Sequence, residues 1–266
     1  MYRLHFGLRH APLGKECNDL WNNDQIDDIE RQFNWLLKSP GLGLLTAEPG
    51  LGKTAALRRL SKKLNPHEYK VIYVCETDFG RLDFYRQLAS KLNIASSYRR
   101  AQLWRDLKDH ITHLATQKNI LLILIIDEAQ NLPPEFLRDF PSFLNFVFDS
   151  KDYMMVWLVG HPELERIIDR ANNTALSSRI QARCQIQPIN DRAAFRELLL
   201  HGLAEAGCQN TLLSDTGVEL LRMASKGNTR VLHQLLVKSL QIATDKALNH
   251  LPDDVVKEAI EKLKKG

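Results

Sequence analysis

Apolar positions along this chain follow two different periods, and the places where the period changes mark its elements. Between Asp24 and Leu37, Ile26, Ile29, Phe33, Leu36 and Leu37 fall on one face of a helix, which Ser39-Pro40-Gly41 ends. Leu42-Gly43-Leu44-Leu45 follows as a continuous apolar run. Others lie within Lys70 to Cys75, from Ile120 to Ile126 and from Met154 to Val159. Runs without alternation predict strands covered on both faces, with Ile120–Ile126 central. Helical stretches are expected at about 81–92, 98–116 and 163–169, and another starts at Pro133-Pro134 and runs to about Val147. Residues Leu176 to Arg183 lead to a last strand near Cys184 to Gln187. Strands alternating with helices predict right-handed crossovers and a parallel sheet with helices on both sides.

From Asn190 the pattern is helical only. Asp191 and Ser214 are N-cap residues for helices reaching Ala206 and Ala224. Asn228 to Leu248 carries Val231, Leu232, Leu235, Leu236, Leu240 and Ala243 on one face, and a fourth helix opens after Leu251-Pro252 and runs to Lys265. The expected division is therefore an α/β domain over 1–189 and a small helical domain over 190–266. The opening Met1 to Arg9 mixes aromatic and basic residues without a period and reads as an extended segment laid against the core.

Composition changes this picture little. The 266 residues carry 44% hydrophobic and 26% charged side chains, ordinary for a globular protein, and the net charge of +4 neither requires nor excludes a nucleic-acid partner. Cys17, Cys75, Cys184 and Cys208 are scattered without metal-ligand spacing, and buried free thiols in a reducing cytosol are the expectation. Ile120–Ile126 is too short to span a bilayer and Met1–Gly14 lacks the apolar core of a signal peptide, so a cytoplasmic protein without a membrane anchor is expected.

The chemistry concentrates around Thr46 to Thr54, where a strand turns through small residues into a helix. Glu48, Pro49, Gly50, Leu51, Gly52, Lys53, Thr54 and Ala55 form the expected phosphate cradle. Free amides at a helix start attract polyphosphate, glycines allow close approach, Lys53 reaches the β and γ phosphates and the Thr54 hydroxyl ligates Mg²⁺. Ala47 stands where this loop pattern has its first glycine. Asp127, at the end of the central strand, is the second metal ligand, and Glu128 orients and deprotonates the attacking water. His161, after the strand ending in Gly160, reaches the same edge of the sheet and suits a sensor of the γ phosphate. Arg179, and Arg183 as second choice, could supply transition-state charge to a neighbouring subunit's ATP. Arg230, a cation placed at a helix N-terminus against the dipole, is suited to a phosphate.

Together AEPGLGKT, LLILIIDEAQ, VGHPEL, LSSRIQAR and GNTRVL resemble, in order, the Walker A, Walker B, sensor 1, arginine-finger and sensor 2 regions of AAA+ ATPases. The opening YRLHFGLRHAPLGKE, with EPGLGKTAALR, DEAQNL and GHPELERI, is similar to the group holding transposition ATPases of the TnsC, TniB and IstB type and the secretion ATPase ExeA. The resemblance implies an α/β P-loop core of three layers with a five-stranded parallel sheet and a helical lid, using ATP and Mg²⁺. It also implies homo-oligomeric rings or helical filaments on double-stranded DNA, with a transposase and a target-selector protein as partners. The stretches Thr77 to Arg81 and Arg99-Arg100 are candidate DNA contacts. Proteins similar to ExeA add a membrane span and a wall-binding region, which this sequence is not expected to carry, and a nucleotide switch without turnover is the third reading. Ala47, and His161 in place of a smaller polar side chain, depart from the family pattern.

Overall fold

The continuous apolar runs become strands, and the computed structural model describes residues 1–17, 19–76, 80–95, 97–208 and 210–264. In chain order the elements are α1 (Tyr2–His5), α2 (Asp24–Lys38), β1 (Leu42–Ala47), α3 (Lys53–Lys62), β2 (Tyr69–Val74), α4 (Arg81–Lys91), α5 (Arg100–Gln117), β3 (Leu121–Ile126) and α6 (Pro134–Leu144). They continue with β4 (Met154–Gly160), α7 (Pro162–Ile168), α8 (Thr174–Ser177), β5 (Ile180–Ile186), α9 (Arg192–Glu205), α10 (Asp215–Ser225), α11 (Thr229–Asp245) and α12 (Asp253–Lys264). Lys265, assigned above to the last helix, lies outside the described residues.

The chain forms two compact units. One comprises Asp24–Glu48 and Ala56–Ile186, the other Met1–Asn23, Pro49–Ala55 and Gln187–Gly266. In the first, five parallel strands pair in the order β2-β3-β4-β1-β5. This is the parallel five-stranded sheet of a P-loop AAA+ fold. Side chains alternate between its two faces. Leu122, Leu124, Ile126, Val156 and Leu158 join a core with α4, α5 and α6, in which Phe84, Tyr85, Trp104, Phe136, Phe140 and Phe143 pack ring against ring. On the other face Trp157 is fully buried and stacks on Phe33 of α2 at 6.1 Å between centroids. The helical unit has its own core, drawn from α9, α10, α11 and α12, and Leu8 of the N-terminal segment is buried in it.

Several expectations need correction. The last strand begins at Ile180, not near Cys184. Ile180, Ala182, Cys184 and Ile186 point inward while Gln181, Arg183 and Gln185 are exposed, so an edge strand with one wet face carries polar residues that hide it. Helix α6 stops at Leu144, and Val147, Phe148 and Asp149 follow with φ of +48°, +58° and +60°. Residues Tyr2–His5 form a helical turn where an extended segment was expected. Of the four cysteines only Cys184 is buried; Cys75 is exposed just beyond β2. The N-caps at Asp191 and Ser214 form as expected, each side chain accepting from an amide of the first turn, and Asn228 caps α11 in the same way, accepting from the Arg230 and Val231 amides. Among the described residues no helix is long and apolar enough to cross a membrane.

Gly43 of β1 lies beside Trp157 of β4, and a Cβ there would stand 2.7–2.8 Å from the indole ring. Gly43→Ala should therefore destabilise the protein by about 1–3 kcal/mol, the usual cost of overfilling a packed core. Urea unfolding checks this, and an unchanged midpoint would count against the packing described.

Candidate functional site

All strands of the sheet run the same way, so the residues that follow them emerge at one edge. Ile126 of β3 lies beside Val74 of β2 and Leu158 of β4, and Thr46 of β1 lies beside Gly160. Asp127 and Glu128 thus leave β3 next to the point where His161 leaves β4.

Asp127 is buried. Its amide continues the ladder to the Val74 carbonyl at 2.8 Å, one carboxylate oxygen accepts from the Glu128 amide at 3.0 Å and the other from the Tyr73 hydroxyl at 2.8 Å. Partial burial and the neighbouring Asp127 carboxylate hold the Tyr73 phenol above its ordinary range, so it stays a donor at neutral pH. Glu128 adopts φ +53°. Its Oε2 accepts from Gln130 Nε2 at 2.7 Å and lies 3.4 Å from His161 Nε2. Gln130 Oε1 in turn accepts from the His161 amide at 3.1 Å, filling a space where a Cβ on Gly160 would stand only 2.4 Å away. One amide side chain therefore fastens the acid after β3 to the turn after β4. Gln130 and Tyr73 escaped the sequence reading. Gln130 offers the clearer signal, two residues after Glu128, but an uncharged amide matches no acid–base pattern.

The glycine loop belongs to the compact unit that includes α11. Gly50 and Gly52 have φ of +86° and +95°, a region closed to most side chains. Asn228 Nδ2 donates to the Pro49 carbonyl at 2.7 Å. The Gly50 carbonyl accepts from Thr229 Oγ1 at 2.9 Å and from the Arg230 amide at 3.1 Å. A Cβ on Gly50 would lie 2.6 Å from both Asn228 Oδ1 and Arg230 Cβ, whereas one on Gly52 would meet nothing within 4 Å. The space beside Gly52 leaves the backbone open to a phosphate, which fits a nucleotide. Lys53, the first residue of α3, is buried, and Thr54 and Arg230 are exposed. Ala47 closes β1 opposite Ile186 without a positive φ, so the position needs no glycine here.

The remaining candidates have local partners. Arg179, between α8 and β5, donates to Asp149 at 2.8 Å and to the Ala175 carbonyl at 3.1 Å. Arg183 on β5 pairs with Asp169 at 2.8 Å and Glu165 at 3.4 Å, and its guanidinium holds Asp169 below the usual carboxylate range. Arg100 pairs with Asp139 at 2.9 Å and lies over the Trp104 ring, while Arg99 is the exposed N-cap of α5. Thr77–Phe79, part of the other expected DNA-contacting stretch, lie outside the described residues. Burial pushes the thiols of Cys17 and Cys184 up to about 12, Cys17 with help from Glu205, so neither is a thiolate nucleophile.

The chain is 26% identical to general secretion pathway protein A of Aeromonas hydrophila over 246 residues, 90% of its own length and 44% of that protein's. It therefore spans less than half of that relative. Cdc6p from Pyrobaculum aerophilum superposes with a TM-score of 0.70 at 18% identity, covering 97% of this chain and 70% of the other. The Aeropyrum pernix ORC1 protein in complex with DNA gives 0.72 at 15%, covering 94% and 68%. At these identities the two structures share the fold. The AAA domain family model matches residues 36–168, half of the chain, and spans the glycine loop, the acid pair and His161. The chain belongs to the AAA domain family of P-loop ATPases.

Proposed function

We propose that this chain is an ATP-hydrolysing AAA+ module that assembles on double-stranded DNA in its ATP state. In that state it regulates transposition by selecting target DNA and recruiting or activating a transposase. The observation that carries the ATPase reading is the Gln130 strap, which holds Glu128 beside His161. In the proposed reaction the amides of Gly50 and Gly52 and the Lys53 ammonium bind the β and γ phosphates. Thr54 and Asp127 would hold Mg²⁺, which when bound screens the phosphate charge. Glu128 accepts the proton of the attacking water, and His161 reads the γ phosphate. Tyr73, bonded to Asp127, is a positioning residue. Arg230, on the turn that grips the Gly50 carbonyl, meets phosphate as a second sensor. Arg179 acts between subunits by exchanging Asp149 for a neighbour's phosphate.

The DNA reading draws support from the fold shared with an ORC1 protein solved on DNA, and the transposition reading from the YRLHFGLRHAPLGKE, DEAQNL and GHPELERI stretches. A second reading, a secretion-associated ATPase, is favoured by the match to general secretion pathway protein A.

Lys53→Ala should abolish nucleotide binding. Glu128→Gln should bind ATP normally and lose about a hundredfold or more in kcat. Gln130→Ala should lower kcat by about tenfold with little change in the KM for ATP. Full turnover in both Lys53→Ala and Glu128→Gln would remove the site assignment. Mixing Arg179→Ala with Lys53→Ala chains should restore part of the activity if the arginine works in trans. Electron microscopy with double-stranded DNA should show rings or filaments with ATP and not with ADP, and failure to bind DNA at low salt under any nucleotide would sink the DNA reading.

A further inference from the structure

The N-terminal segment is fastened to the helical core by contacts that the ATPase reading does not use. The Arg9 amide donates to the Ala206 carbonyl at 2.8 Å, His233 Nδ1 donates to the Pro12 carbonyl at 2.7 Å, and Leu13 sits against Gly202, where a Cβ would come within 2.4 Å of it. Between these contacts His10 and Cys17 of the segment meet Glu205, the last residue of α9. His10 Nε2 lies 3.1 Å from Glu205 Oε2, and Cys17 Sγ lies 3.9 Å from His10 Nδ1. One ligand atom from each of the three residues falls within 4.8 Å of the others, and the side chains of His10 and Glu205 are only 16% and 15% exposed.

From this cluster we infer a binding site for a single divalent ion of the zinc class, held by Cys17 Sγ, His10 Nε2 and a Glu205 carboxylate oxygen, with solvent as the fourth ligand. A thiolate, an imidazole and a carboxylate are the donors zinc prefers, and the two anionic ligands neutralise its charge. Zinc bonds of about 2.0–2.3 Å place tetrahedral ligand atoms roughly 3.3–3.6 Å apart, so the cluster needs to draw in by about an ångström, and the Cys17 sulfur, which lies 3.9 Å from both His10 Nδ1 and the Ala11 carbonyl, has to rotate toward the Nε2 side of the ring. The ring is already oriented. His10 Nδ1 lies 3.3 Å from the Ala11 carbonyl, and a proton donated there leaves the Nε2 lone pair facing Glu205. On binding, the Cys17 thiol proton passes to solvent and the sulfur–metal bond forms without any change of oxidation state. The ion staples the N-terminal segment to the end of α9.

The test uses the full chain, stripped with chelator, in a Cys75→Ser/Cys208→Ser background so that the other accessible thiols do not report. Titration with Co²⁺ should saturate at one equivalent, giving a near-ultraviolet thiolate charge-transfer band and the intense visible bands of a tetrahedral ion. Zn²⁺ should displace both sets of bands and raise the melting temperature. Cys17→Ser should lose the charge-transfer band, and Glu205→Gln, which keeps shape and hydrogen bonding, should bind Co²⁺ at least tenfold more weakly. Absence of the charge-transfer band in the parent, or its persistence in Cys17→Ser, overturns the site and leaves a hydrogen-bonded staple. Should Cys17→Ser fail to fold, equal Co²⁺ affinity in Glu205→Gln and parent overturns it independently.

Discussion

Parallel pairing of β3 with β4, Ile126 beside Leu158, is the constraint on which the acid site rests. Neighbouring parallel strands end together, so whatever follows one is delivered beside whatever follows the other. Three adjacent strands therefore line up Tyr73 from β2, Asp127 and Glu128 after β3, and His161 after β4. Gln130 then ties the second of these turns to the third. The register is held from both faces, by the aromatic cluster of α4, α5 and α6 on one side and by Trp157 against Phe33 on the other. A slip of one residue would exchange the faces of a strand and carry its terminal residues to new neighbours.

In the helical unit, helix ends do the corresponding work. Asn228 caps α11 through its side-chain oxygen and, through its amide nitrogen, holds the Pro49 carbonyl, so one residue serves a helix and a loop. With Thr229 and the Arg230 amide satisfying the Gly50 carbonyl, the loop keeps the positive φ values that only glycine adopts cheaply. The far end of α9 plays a similar part for the N-terminal segment, through the Ala206 carbonyl and Glu205.

Much of this was legible without coordinates. Apolar runs located β1 to β4, Pro134 opened α6, and Asp191 and Ser214 capped the helices assigned to them, because capping and periodicity act within a few residues of chain. The edge strand was misplaced because residues 181, 183 and 185 are polar. Strand and turn cannot be separated there without knowing that one face of β5 is wet. Arg179 and Arg183 showed positive charge in the sequence, but their partners Asp149 and Asp169, 30 and 14 residues away, became evident only in the folded chain.

The sequence by itself determined the alternation of strands and helices, the glycine loop, and the acid pair at a strand end, all of which follow from side-chain shape and charge over short spans. Tertiary structure alone decided that Gln130 joins Glu128 to His161, that Asn228 grips the loop, and that His10 and Cys17 meet Glu205 from the other end of the chain. Those meetings depend on strand order and on which helix packs where. Such choices are set by the summed burial of many residues, and no local period encodes them.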